Sequence, residues 1–209
     1  MSKSNKNTGC FKDAIPHNIH QSSDRREKQA LQRVFIGIPV DAWSQQQINK
    51  LLEPVKNSRH DLRWVPENNR HMTLAFLGDI ETSVVENLVR LFDEVYRREA
   101  CFKYRLAMLT RFPNSSGRII ALTGEPTDPL DHLYQITLDF LSGNKVEFDR
   151  KRFRPHVTLG RIKKAKQVKT NFDKQIGITL DINRVRFYRS TLSQGGSVYQ
   201  VMSETELIV

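Results

Sequence analysis

The sequence predicts an α+β fold in which helices pack on largely antiparallel sheets. Strand-like and helix-like periodicities interleave along the chain. Several neighbouring strand segments are joined by turns too short to hold a crossover helix, so they pair as hairpins. No Gly-rich phosphate loop of the dinucleotide or nucleoside-triphosphatase type follows any of them.

The elements follow in order. Residues 33–40 (RVFIGIPV) form an apolar, β-branched run closed by proline, which reads as a buried strand. Asp41 caps a helix through about Asn57, with Trp43, Ile48, Leu51, Leu52 and Val55 at helical spacing. A short strand at 62–65 and a Pro-Glu-Asn-Asn turn lead to a strand at 71–77, then an amphipathic helix over 82–99. Strands at 102–112 and 117–124 flank a Pro-Asn-Ser-Ser turn, and a third helix covers about 128–142. After a basic loop comes a strand at 156–161. Residues 176–208 then alternate as strands around a Gly195-Gly196 hairpin turn.

Residues 1–32 are rich in Asn, Ser, Lys and Gln and too poor in apolar positions to offset the entropy of ordering, so they read as a disordered tail before a domain at 33–209. The tail holds six Lys or Arg against three Asp or Glu, which leaves +7 of the +10 net charge on the domain. That excess favours a polyanionic partner, because phosphate contacts release counterions. His17 and His20 have no further ligands nearby and do not make a metal site. Two cysteines, Cys10 and Cys101, cannot build a disulfide framework, which fits a cytoplasmic protein. The sequence has neither a membrane-length apolar run nor a secretory signal.

The most informative feature is a repeat. His71-Met-Thr-Leu74 and His156-Val-Thr-Leu159 share one pattern, 85 residues apart, each in a strand-like stretch. Alternation along a strand sets His71 and Thr73 on one face, opposed by Met72, Leu74 and Phe76; His156 and Thr158 share a face opposed by Val157 and Leu159. One such tetrapeptide is better explained by a satisfied strand histidine. Two in one domain point to half-sites related by a pseudo-twofold and meeting in one cleft, where the polar pairs escape unpartnered burial.

On these residues the chain resembles the two-histidine phosphoesterases, in the LigT-like branch of bacterial and archaeal RNA 2′,3′-cyclic phosphodiesterases, historically called 2′-5′ RNA ligases. The likeness also takes in residues 33–39 (RVFIGIP), HMTLAFLG at 71–78, FRPHVTLGR at 153–161, YRSTLS at 188–193 and Tyr199, and covers about 33–209. It implies a bilobal fold, each lobe an antiparallel sheet with outer helices, around a central cleft. It implies hydrolysis of RNA 2′,3′-cyclic phosphate ends to a 2′-phosphate. His71 is then the proton donor to the leaving oxygen and His156 the proton acceptor from water; the residues alone leave that order open.

Two imidazoles can carry out both proton transfers near neutral pH, one neutral and one protonated. The threonine hydroxyls of Thr73 and Thr158 suit the non-bridging phosphate oxygens. Carboxylates do not cluster beside either motif, so neither metal nor cofactor is expected. Of the basic residues around the second motif (Arg150, Lys151, Arg152, Arg154, Arg161, Lys163, Lys164 and Lys166), most read as a solvated loop. Arg161 ends the motif strand and is the candidate phosphate contact at the cleft rim. Trp64, Phe76 and Tyr188 are candidate base-stacking rings, though core positions suit most of them; His60 and His132 read as surface residues. The expected partner is RNA with cyclic phosphate ends, tRNA fragments among them, bound by a monomer without membrane association. Competing readings are a phosphodiesterase acting on a small cyclic nucleotide or a 2′-5′ linked oligonucleotide, reversible 2′-5′ RNA ligation, and an RNA-end-binding module without turnover.

Overall fold

A computed structural model describes residues 30–57, 59–148, 152–163, 172–194 and 196–209. The tail expected at 1–32 therefore lies almost wholly outside the described residues, as do His17, His20, Arg150, Lys151, Lys164 and Lys166.

The chain runs β1 (Leu31–Pro39), α1 (Ala42–Lys56), β2 (Leu62–Trp64), a 3₁₀ turn (Glu67–Asn69), β3 (His71–Glu81), α2 (Thr82–Tyr96), β4 (Phe102–Phe112), β5 (Ile119–Thr123), α3 (Asp128–Gly143), β6 (His156–Ile162), β7 (Lys174–Ile182), β8 (Arg184–Ser193) and β9 (Gly196–Glu206). Every paired strand is antiparallel, which matches the α+β expectation. The ladder reads β7-β4-β5-β6-β3-β1-β8-β9, with β2 also paired to β6. Its two halves meet at a single residue pair, Met72 with Val157, both fully buried. The two expected sheets are thus half-ladders hinged at one point, and each motif strand lies at the seam.

Local chemistry accounts for the helices. The Asp41 carboxylate accepts from the Ser44 N–H at 2.9 Å and starts α1; its other oxygen accepts from the Asp181 N–H at 3.1 Å, which docks the helix on β7. The Ser44 hydroxyl donates to the Thr179 carbonyl at 2.8 Å and reinforces that docking. In α2 the buried face is Val85, Leu88, Phe92 and Tyr96, spaced by three and four residues. α3 buries Leu130, Leu133, Thr137 and Leu141 in the same way. The Tyr96 and Thr137 hydroxyls share a 2.9 Å hydrogen bond that satisfies both across the interhelix core. No described helix is long and apolar enough to cross a membrane.

One expectation from strand alternation fails. Phe76 does not share the core face of Met72 and Leu74: it is 41% exposed, while Ala75 is buried. The cause is a bulge. Gly37 pairs with Thr73 but Ile36 with Ala75, so Leu74 is an extra residue and the alternation inverts beyond it. β6 repeats the device: Ala121 pairs with Thr158 but Ile120 with Gly160, which leaves Leu159 extra. Arg161, five residues after His156, thereby turns to the same side as the histidine. Strict alternation would have buried it.

Candidate active site

Both motifs open on one cavity of about 280 Å³, lined by His71, Thr73, Phe76, His156, Thr158 and Arg161 together with residues of β1, β8 and β9. The structure thus brings together all five site residues read from the sequence. The Met72–Val157 pair joins the two motif strands next to both histidines, which sets the two polar pairs on one cavity.

Each imidazole is fixed in the same way. His71 Nδ1–H donates to the Asn69 carbonyl at 2.7 Å, and His156 Nδ1–H to the Arg154 carbonyl at 2.8 Å. A carbonyl only accepts, so both rings carry the proton on Nδ1 and offer Nε2 to the cavity. A ring from another strand holds each imidazole plane. Phe35 of β1 lies 4.7 Å from His71 at 30°, and Phe112 of β4 stacks on His156 at 4.0 Å and 18°. Tyr199 of β9 meets His71 edge-on at 5.3 Å. The duplication thus extends to the anchoring carbonyl two residues upstream, the bulge three downstream and the cavity-facing residue five downstream.

The halves differ in one bond. The Thr73 hydroxyl donates to His71 Nε2 at 3.1 Å, whereas among the described residues Thr158 has no side-chain partner.

Burial favours the neutral form of both imidazoles in the free protein. Burial, offset in part by the Asn69 carbonyl and reinforced by the nearby His156, lowers the His71 pKa to about 4. Burial likewise lowers that of His156, with Arg154 and Arg161 adding repulsion. A phosphate anion in the cavity opposes both effects, since it favours the imidazolium. The limb of the pH profile that requires a protonated histidine should therefore lie at higher pH in kcat, which reports the complex, than in kcat/KM, which reports the free protein. Profiles of both parameters on a short substrate check this, and coincident limbs would contradict it.

Several residues at the site were not singled out from the sequence. Asn69 anchors His71 by its carbonyl and ties the 3₁₀ turn to β9 by donating from Nδ2 to the Ser197 carbonyl at 2.7 Å. The neighbouring Arg70 is 3% exposed and donates to Gln45 and Asn49, each at 2.8 Å, which seats the turn on α1. Arg33 lies over the Phe76 ring at 4.7 Å and bridges to Asp79 at 3.3 Å. Trp64 is outside the cavity and packs on Gly160, where a Cβ would stand 3.1 Å from its ring. Tyr188 is 4% exposed and backs Phe35, so it supports the site from the core. His60 and His132 are exposed, as read, and His132 pairs with Glu99 at 2.9 Å. Among the described residues no three His, Cys, Asp or Glu side chains gather where they could hold a metal ion.

A protein of Thermotoga maritima named RNA 2′,3′-cyclic phosphodiesterase is 29% identical over 178 residues, 83% of this chain and 95% of its own length. The family described as LigT-like phosphoesterase matches residues 38–122, the span that holds the first motif strand. Over that span the chain is similar to the LigT-like phosphoesterases. Two solved structures share the LigT-like fold at 22% identity. The TT0787 protein of Thermus thermophilus superposes with a TM-score of 0.73 over 84% of this chain and 97% of its own. Escherichia coli LigT in its apo form gives 0.71 over 86% of this chain and 99% of its own.

Proposed function

We propose that this chain hydrolyses RNA 2′,3′-cyclic phosphate ends to a 2′-phosphate, without a metal. The observation that carries the reading is the pair of imidazoles, both pinned at Nδ1 to a backbone carbonyl and both offering Nε2 to one cavity. Water attacking phosphorus must lose a proton and the departing ribose 3′ oxygen must gain one; two Nε2 atoms on one phosphate perform the two transfers. His156 takes the proton from water and His71 gives one to the leaving oxygen. Thr73, Thr158 and Arg161 hold the non-bridging oxygens, where charge grows in the transition state. The exposed Phe76 ring, backed by Arg33, offers the terminal base a stacking surface. The name of the Thermotoga maritima relative supports the same substrate class.

The test is turnover of a short oligonucleotide bearing a 2′,3′-cyclic phosphate, in excess EDTA, with the product isomer identified by phosphorus NMR. A 2′-phosphate formed at the metal-replete rate is expected. Activity lost on chelation and restored by a divalent ion would overturn the metal-free chemistry. A 3′-phosphate product would reverse the choice of leaving oxygen.

A further inference from the structure

A second cavity, of about 670 Å³, shares a wall with the catalytic one. The wall is Phe112, whose ring stacks on His156 and itself lines the second cavity; the Arg154 guanidinium lies over the same ring at 4.7 Å. Three arginines line the space (Arg111, Arg152 and Arg154), with donors from the Asn114-Ser115 turn. Arg111 is committed to that turn, donating to the Gly117 carbonyl at 2.8 Å and the Ser116 carbonyl at 3.3 Å. Arg154 donates to the Pro113 carbonyl at 2.7 Å. Arg152 is exposed and has no acceptor among the described residues. Of the two acids lining the cavity, Asp173 accepts from the Thr110 hydroxyl and Glu125 is exposed.

The chemistry of the substrate makes this cavity informative. A terminal cyclic-phosphate nucleotide is joined to the rest of its chain at the 5′ oxygen, and the catalytic cavity, at about 280 Å³, is less than half the size of its neighbour. The penultimate nucleotide must leave over one rim. On the Phe76 side the nearest cation, Arg33, is already paired with Asp79 at 3.3 Å. On the Phe112 side the uncommitted cation is Arg152, beside a space within the roughly 300–1,000 Å³ range of small-ligand sites.

We propose that this second cavity binds the nucleotide on the 5′ side of the reacting end, with its phosphate on Arg152 and Arg154 and its nucleoside against the Asn114-Ser115 turn. The inference rests on the phosphodiesterase reading and deepens it: the enzyme is built for oligonucleotide ends, and a cyclic mononucleotide leaves this subsite empty.

The experiment compares kcat/KM for a cyclic-phosphate dinucleotide with that for the cyclic mononucleotide of the same terminal base. The wild-type ratio should exceed one and fall with added salt. Arg152→Glu should lower the ratio by about tenfold at low salt, as a phosphate contact becomes a repulsion. Glu125→Gln should raise it. Arg152→Ala should reduce the slope of log ratio against log salt by about 0.7, the value for one single-strand phosphate contact. Equal turnover of the two substrates by the wild type, or a ratio unchanged in Arg152→Glu, would overturn the subsite and leave the phosphodiesterase reading intact. If the wild type turns over neither substrate, the phosphodiesterase reading falls and the subsite with it.

Discussion

Replacing His71 or His156 with alanine should lower turnover of a short cyclic-phosphate substrate by about 10²–10⁴, the scale of one general acid or base. The double replacement should cost far less than the product of the two, because groups that act as a unit are non-additive. In the proposed mechanism both Nε2 atoms, which the anchored rings offer to one cavity, serve one phosphate, so removing either leaves the other with half of a coupled proton transfer. Thr73→Ala and Thr158→Ala should each cost less, about 1.5–3 kcal/mol for a hydrogen bond to a charged group. Of the two, Thr73→Ala also frees His71 Nε2 from its 3.1 Å partner. It should therefore move the pH profile, whereas Thr158→Ala should not. Steady-state kinetics of the four single variants and the double variant, with melting curves to confirm folding, measure all of this.

Gly37→Ala should damage the same site from behind. Gly37 lies in β1 opposite Thr73, where an added Cβ would stand 2.9 Å from the Met72 carbonyl oxygen and 3.3 Å from the His71 ring. The first contact is with backbone at the hinge of the two half-ladders, so β1 and β3 must separate to admit it. Overpacking of this kind costs about 1–3 kcal/mol of stability. The displaced imidazole should lower turnover by as much as about 10²-fold, the effect of a 1 Å misplacement. A variant with wild-type melting temperature and turnover would show that β1 does not set the position of His71.

Much of this was legible in the sequence, and the departures have physical causes. β4 begins and ends where periodicity placed it, at Phe102 and Phe112. The two His-x-Thr-Leu segments were found as chemistry because repetition at strand spacing is visible without a fold. The bulges at Leu74 and Leu159 were not, because a bulge exists only against a partner strand, and no local pattern says which strand that is. A signal was nonetheless present: the repeat continues to a small residue (Ala75, Gly160) and then to a residue that faces the cavity (Phe76, Arg161). Comparing the copies beyond the fourth position would have put Phe76 in the cleft. Asn69 and Phe112 carried no signal, and Phe35 only that of a buried strand, since their roles depend on the 3₁₀ turn, β4 and β1 folding back on the histidines from outside the motifs.

The most direct test of the two-histidine account is the pH dependence of kcat for His71→Ala and His156→Ala beside the wild type. The wild-type profile should be bell-shaped. Each variant should lose one limb: His156→Ala the ascending limb of the base, His71→Ala the descending limb of the acid. The opposite assignment of limbs would exchange donor and acceptor while leaving the mechanism standing. A folded variant of either kind that keeps both limbs and nearly full activity would contradict the account.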